Sequence, residues 1–494
     1  MSTGTQGKVT AGDISNDDNV NRTSAQNSST GFCSVRHGLA LLLHLCNFTI
    51  FTQFMSLSIA MPAMVNNTVP PSPPNNTSTE GSLDNWNETL PGFRAVAPRY
   101  DWSPEIQGLL LSTFHLGAFL ASIPSGYLAG KFTAKCLVGA ALFVSSVLNL
   151  FIPLAAKAGV VLLSILRIVQ GVAEVMILTS QYLIWVKWAP PLEMNQLISI
   201  AISGLLLGPL TALLAGGFLC ETLGWPSVFY VFGGIGCACS GLWFSLVYDD
   251  PTEHPFISAG ERDYIVRSLA QQDYPPDQPL PVKAMIRSLP LWSILVTQFT
   301  AHWYFHVLMA FLPMYISSVL QVGLQDSGYL SALLLGVGFV FIILGGLLAD
   351  FLLSRKILTL LVIRKLFTAV GVLVPSLFSV LLSWVSSSFG TAVAFLGLCM
   401  ATSSFCQSGA LVNFMDIAPR YTCFLKGLSV VFANLSGVIA PTVSGFFIGQ
   451  DPETGWRNIF LLSAAVNICG LVFYLVFSQA EVQDWAREQT FTHL

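Results

Sequence analysis

Twelve apolar stretches, each long enough to cross a bilayer as a helix, follow one another through this chain and leave little sequence from which a soluble core could be built. They lie near 38–65, 104–129, 136–156, 158–185, 196–220 and 226–248, then near 291–319, 328–349, 358–384, 389–412, 424–448 and 457–478. A spanning helix needs roughly 20 mainly apolar residues, and backbone exposed to hydrocarbon must satisfy its own hydrogen bonds. The expected fold is therefore an all-α membrane protein, with twelve transmembrane helices in two pseudo-symmetric six-helix halves, 37–248 and 289–478. Only 10% of the 494 residues are charged, where a soluble domain carries about a quarter. The net charge of −4 includes no lysine- and arginine-rich block, which excludes nucleic acid as a partner and leaves membrane lipid as the surroundings. The ten cysteines make no CxxC or zinc spacing and read as small packing residues, so no metal site is implied.

The segments between the spans set the orientation. Residues 1–36 are polar, lack the apolar core of a signal peptide and are expected to form a disordered tail. A polar linker, 249–288, carries Arg262, Arg267, Lys283 and Arg287, and a second tail covers 479–494. Lys131, Lys135, Lys187, Arg355, Lys356, Arg364, Lys365, Arg420 and Lys426 all fall on the same side as this linker. Positive charge is retained in the cytoplasm, so both termini are expected there. The loop 66–100 then faces outward, and it carries N-x-[ST] sequons at Asn66, Asn75, Asn76 and Asn87, which independently belong on that side.

The chain also repeats itself. "GYLAG" at Gly126–Gly130 recurs as "GLLAD" at Gly346–Asp350, and basic residues follow each: Lys131 and Lys135, then Arg355 and Lys356. "WAPPLEMNQL" matches "IAPRYTCFLK" with Ala189 on Ala418, which puts Gly208 on Gly437 and Gly216 on Gly445. "GWPSVF" from Gly224 matches "GWRNIF" from Gly455. Ordered matches at nearly constant offset indicate a duplicated half, a plan in which the binding site lies between the copies near the bilayer midplane.

Arg167 and Glu174 stand out inside the fourth span. A charge at a helix centre costs about 2.5–3.5 kcal/mol on insertion scales, so both must face protein or water. Seven residues place them on one helix face about 10.5 Å apart, with Gln170 between them, which suits two charges lining one cavity. A structural pair with another helix is the competing explanation. The seventh span offers His302 and His306, four apart on one face beside Trp303 and Tyr304. They read as pore-lining histidines or as plain interior ones, since zinc would need further ligands that are not evident. Polar strips at Asn47, Thr49, Thr52 and Gln53, and at Ser403, Ser404, Gln407 and Ser408, can bind an anion or sodium, or simply join helices.

Two six-span halves, the paired loop motifs and the long central loop resemble the major facilitator superfamily. Within it, "RIVQG", "WAPPLE", "GWPSVFYVFGG", "DIAPRY" and "GWRN" resemble solute carrier family 17 over nearly the whole chain past Phe32, and "YDWSPEIQG" places the likeness in its type I sodium/phosphate branch. The resemblance implies a major facilitator fold and secondary active transport by alternating access. The implied substrates are phosphate, urate, hippurate-like aromatic anions or iodothyronines, coupled to sodium, protons or membrane potential without a cofactor, at the apical membrane of epithelial cells. It implies that Gly126, Lys131, Lys135, Gly346, Asp350, Arg355, Glu193 and Arg420 serve gating. It also implies that Arg167 and Glu174 correspond to the arginine and acidic residue on the fourth span of vesicular glutamate carriers. The chain departs from those carriers at Phe54 and Ala301, where they hold arginines. One arginine among aromatic side chains suits a bulkier, more apolar anion than a dicarboxylate. Gly130 stands where the superfamily has aspartate, and Met194 and Asn195 where the family has Arg-Ser, which puts the latching charges in question.

No Walker, HExxH or GxSxG sequence is present, so an enzyme is not expected. The rival functions are an anion channel and a proton-coupled lysosomal or vesicular carboxylate carrier; saturation with trans-stimulation separates a carrier from a channel. The last residues, "TFTHL", give Thr492-His493-Leu494 the pattern that a PDZ scaffold captures.

Overall fold

The computed structural model describes residues 34–65, 98–190, 193–270, 280–382, 384 and 389–487. The four sequons, the PDZ-type tail and most of the first 36 residues lie outside these. The described chain is helical throughout, with one isolated β-bridge between Val65 and Tyr100 tying together the two ends of the long loop. The first half comprises α1 (Val35–Met64), α2 (Pro104–Ala129), α3 (Ala134–Ala158), α4 (Val160–Trp188), α5 (Met194–Thr222) and α6 (Pro226–Leu246). The second comprises α7 (Leu289–Ser318), α8 (Leu324–Ser354), α9 (Leu360–Leu382), α10 (Phe389–Ser403), α11 (Thr422–Gln450) and α12 (Pro452–Phe477).

Local chemistry explains the boundaries. Pro104 and Pro226 open α2 and α6 at positions where a missing N–H costs nothing. Thr133 accepts a bond from the Cys136 amide at the start of α3. Between α3 and α4 stands the single residue Gly159 at φ 131°, a conformation that L side chains rarely adopt. Two spans differ from their sequence appearance. α7 is a 30-residue helix, yet it is not among the eleven described helices apolar enough to span on length and hydropathy alone. Gln298, His302 and His306 dilute it, and the protein surrounds most of it. The tenth span breaks after Ser403 into short turns, Phe405–Ser408, Ala410–Val412 and Phe414–Ile417.

The halves meet unevenly along their length. Near the loop face, the end that bears residues 66–100, one apolar core draws on both halves, from Ile59 and Leu110 to Phe311, Ala332 and Ile448. Near the terminal face, the end where α1 begins and α12 finishes, there are two separate cores. One holds Leu43, Trp185, Trp188 and Trp243 from the first half. The other holds Leu291, Phe414 and Tyr474 from the second.

Two glycine crossings seal the loop face. At the α2–α11 seam, Gly108 lies against Pro441 carbonyl oxygen and Gly445, and Gly445 against Pro104 carbonyl oxygen. At the α5–α8 seam, Gly328 lies against Leu213 carbonyl oxygen and Gly217. Gly328 follows Gly108 by 220 positions and Gly445 follows Gly217 by 228, so the seams are duplicated copies of one contact. Repeat matching pairs Gly216 with Gly445, but Gly216 faces Ile59 of α1, and its neighbour Gly217 occupies the seam.

Candidate substrate site between the halves

Arg167 anchors the centre of the bundle. Its side chain is 1% exposed, and Nη1 donates to the Gln53 carbonyl and to Gln170 Oε1, each at 3.1 Å, while Nη2 donates to the Phe54 carbonyl at 3.0 Å. These acceptors lie on α1 and α4. The guanidinium also stacks 4.9 Å from the centre of the Phe114 ring on α2. Its Nε–H has no partner. A buried guanidinium needs this many acceptors, because a desolvated cation without them would cost several kcal/mol. The α2–α4 approach that brings Phe114 here depends on Gly117 and Gly171, which sit against Ile168 and Phe114 carbonyl oxygens.

Arg167 borders a small cavity with Phe54, Ser58, Leu111 and His115 from the first half and His306, Met309, Ala310 and Pro441 from the second. The cavity spans the interface between the halves. His115 and His306 face each other across it with ring centres 4.2 Å apart, and Nδ1 of each is buried without a partner. Ser58 Oγ lies 2.8 and 2.9 Å from the carbonyl oxygens of Met309 and Ala310, which ties α1 to α7. The enclosed space is about 10 Å³, the threshold for a single water. The walls must therefore part to admit a solute.

The remaining candidates are dispersed. Glu174 is buried two turns along α4, at 9% exposure, and makes no ion pair among the described residues. Gln53 gives its backbone to Arg167, but its side chain turns into the first half, donating to Ser146 Oγ and accepting from Ser145 Oγ. Trp303 donates to Ser463 Oγ on α12, and the Tyr304 hydroxyl accepts from Ser379 Oγ on α9, so both serve the core of the second half. His302 bonds to the Gln298 carbonyl on its own helix. Ser404 bonds the Gly338 carbonyl at the break in the tenth span, and Gln407 is exposed beside it. The cavity is thus lined by His115 and Ser58, with Phe114 behind Arg167, where sequence reasoning named other residues. The one signal for His115 was a histidine inside an apolar span.

At the terminal face the gating candidates form separate contacts. Arg36 at the start of α1 makes a two-pronged pair with Glu193, at 2.7 and 3.1 Å, and lies 3.6 Å from Glu261. Glu261, on the linker helix Ala259–Ala270, also accepts from the backbone amides of Val35 and Arg36, capping α1 from another segment. Tyr264 joins this cluster, and burial together with the Glu193 carboxylate raises its phenol above the usual range. In the second half Arg364 pairs with Asp416 at 2.7 and 3.2 Å and bonds the Ser408 carbonyl, bracing the broken tenth span. Lys131 and Lys135 lie over the rings of Tyr127 and Tyr248, and Arg355 over Phe351. Asp350 is exposed and Arg420 half-buried, while a side chain at Gly126 would meet open space and one at Gly346 would only touch Ser408.

A two-halved helical bundle with a charged cavity at its central interface is the architecture of a membrane carrier rather than an enzyme, and the chain belongs to the Major Facilitator Superfamily, whose family profile matches residues 43–422. Within it the chain is a member of solute carrier family 17. It is 67% identical to the human "Probable small intestine urate exporter" over 100% of both chains. It is 50% identical to the mouse "Sodium-dependent phosphate transport protein 3", covering 94% of this chain and 98% of that one. Among solved structures, the inward-facing, occupied form of a bacterial homolog of the human lysosomal transporter Spinster superposes with a TM-score of 0.69 at 15% identity, over 90% of this chain and 97% of the other. A D-xylose–proton symporter superposes with a TM-score of 0.65 at 12% identity, over 90% and 98%. At such identities these two establish the fold.

Proposed function

We propose that this protein carries organic anions across the plasma membrane by alternating access, with urate the leading substrate and phosphate and other aromatic carboxylates as further candidates. The reading rests on one observation above all: the buried Arg167 guanidinium borders a cavity shared by the two halves, with an N–H still unpartnered. An anion there meets a fixed positive charge, while Phe54, His115 and Met309 supply apolar and π contact on a planar solute. The names of relatives at 67% and 50% identity fit this chemistry.

The sealed loop face and the two separate cores at the opposite face support a carrier whose halves part more readily at the terminal face. With the positive-inside orientation that face is cytoplasmic, so a parting of the walls on that side would admit cytosolic anion to the site. Opening outward requires the two glycine seams to part and the inner ends to close. Coupling to sodium or to membrane potential completes the proposal, as does placement at an apical surface with a PDZ scaffold on the tail.

Purified protein in liposomes, loaded with labelled urate, phosphate or hippurate under separately imposed sodium, proton and voltage gradients, tests the reading. Arg167→Ala should abolish anion flux at normal protein levels, and Arg167→Lys should restore little of it, because a point charge cannot replace the planar fork. Wild-type flux in either variant would refute the role of Arg167. Flux without trans-stimulation would identify a channel instead.

A further inference from the structure

A second charged recess lies far from the transport site, at the terminal face of the second half. It holds about 760 Å³ of open space between the short linker helix Val282–Arg287 and the residues that leave α12. Lys283 and Arg287 are four apart on that helix, both exposed, and neither has an ion-pair partner among the described residues. Across from them lie Ser478 and Trp485. Ser478 is 3% exposed, and its hydroxyl has no hydrogen-bond partner; the Trp485 indole N–H is likewise buried and unpaired. A native interior rarely leaves such groups unmatched, since each costs about 1–3 kcal/mol. Asp484 is the one carboxylate in the recess; its side chain is 95% exposed and lies 3.4 Å from Arg487 Nη1, turned to solvent.

The surroundings fix the level of this recess. Leu289, Ile286 and Val476 beside it are 51, 61 and 64% exposed, which is the exposure of side chains that face acyl chains. The Trp292 indole donates to the Ile286 carbonyl at 2.7 Å, a placement typical of the aromatic belt at the membrane boundary. Two exposed cations thus line the recess just where headgroups lie, with Ser478 and Trp485 on its other wall and an apolar rim leading toward the hydrocarbon. A dianion matches the two exposed cations, and a phosphomonoester is the dianion a leaflet supplies.

We propose that this recess binds the phosphomonoester headgroup of an anionic phospholipid drawn from the leaflet at the terminal face. The bound lipid joins the linker, the start of α7 and the end of α12, and so fastens the linker to the second half. This inference is independent of the identity of the transported solute.

The test uses the full-length protein in phosphatidylcholine liposomes containing a small, subsaturating fraction of photoactivatable phosphatidylinositol 4-phosphate. Crosslinks should map to residues 282–290 and 476–485. Unlabelled phosphatidylinositol 4-phosphate should compete them away, whereas inorganic phosphate at equal concentration should not. Lys283→Gln with Arg287→Gln should lower the yield about 30-fold, from the roughly fivefold that each surface cation contributes. Both side chains are exposed, and the competition on the unmutated protein stands even if the variant misfolds. Crosslinks elsewhere, a yield unchanged in the variant, or equal displacement by inorganic phosphate would each overturn the proposal.

Discussion

Gly108→Val offers the sharpest test of how the halves move. A Cβ at position 108 would meet the Pro441 carbonyl oxygen and lie 2.9 Å from Gly445 Cα. Both obstacles are backbone, so no side chain can rotate away and the helices must separate. Overpacking of this kind costs about 1–3 kcal/mol. The cost falls only on the state with the loop face sealed, because α2 and α11 part there when the carrier opens outward. The inward-to-outward balance should therefore shift outward by about 5–150-fold. Gly328→Val, against Leu213 and Gly217 at the duplicated seam, should shift it similarly. A cysteine placed at Ser112, whose hydroxyl bonds Thr442 across the α2–α11 seam at 2.9 Å, reports the change. Its labelling by a membrane-impermeant thiol reagent applied at the loop face, in a cysteine-depleted background, should rise in step with the shift. Unchanged labelling with unchanged transport in both valine variants would show that these seams do not gate the loop face.

Glu174→Gln should alter the pH and sodium dependence of flux more than the preference among anions; identical ion dependence to the parent protein would argue that Glu174 only balances Arg167. Glu261→Ala removes the acceptor for the Val35 and Arg36 amides and one of the two carboxylates at Arg36. Amide exchange across residues 259–270 should then quicken by about 5–150-fold, from the 1–3 kcal/mol of an abandoned cap and charge contact. Exchange at the parent rate would mean the linker helix is held by Ile265 and its apolar neighbours alone.

Helix number, order and duplication were legible because lipid imposes a length and an apolar composition on each span, and those survive as one-dimensional patterns. α7 shows the limit of that signal. Its polar residues face protein, and hydropathy cannot distinguish a helix shielded by neighbours from one too polar to insert. Arg167 was legible for the opposite reason, since a cation in an apolar span has few places to go. Its partners were not, because backbone carbonyls of Gln53 and Phe54 carry no residue-type signature. The side chains of Gln53, Trp303 and Tyr304 looked equally suited to a pocket, but which face of α1 or α7 meets the opposite half depends on helix rotation. That rotation is set by glycine contacts such as Gly204 and Gly208 against α1, which sequence alone does not orient. The one-residue slip between Gly216 and Gly217 has the same origin: repeat alignment tracks chain position, and the seam tracks the helix face.

The single apolar core at the loop face and the divided cores at the terminal face have a thermal consequence. Each half-cycle unmakes one junction and makes another, and apolar surface entering water raises heat capacity by about 0.45 cal/mol/K per Å². A mismatch of roughly 500 Å² between the two junctions corresponds to about 0.2 kcal/mol/K, enough to bend the temperature curve of the resting orientation. Warming and cooling away from the extremum of that curve would then both favour the orientation that exposes the larger apolar area. A carrier that works at steady body temperature can tolerate such a mismatch; one that must hold its orientation across seasons has to match the areas of its junctions.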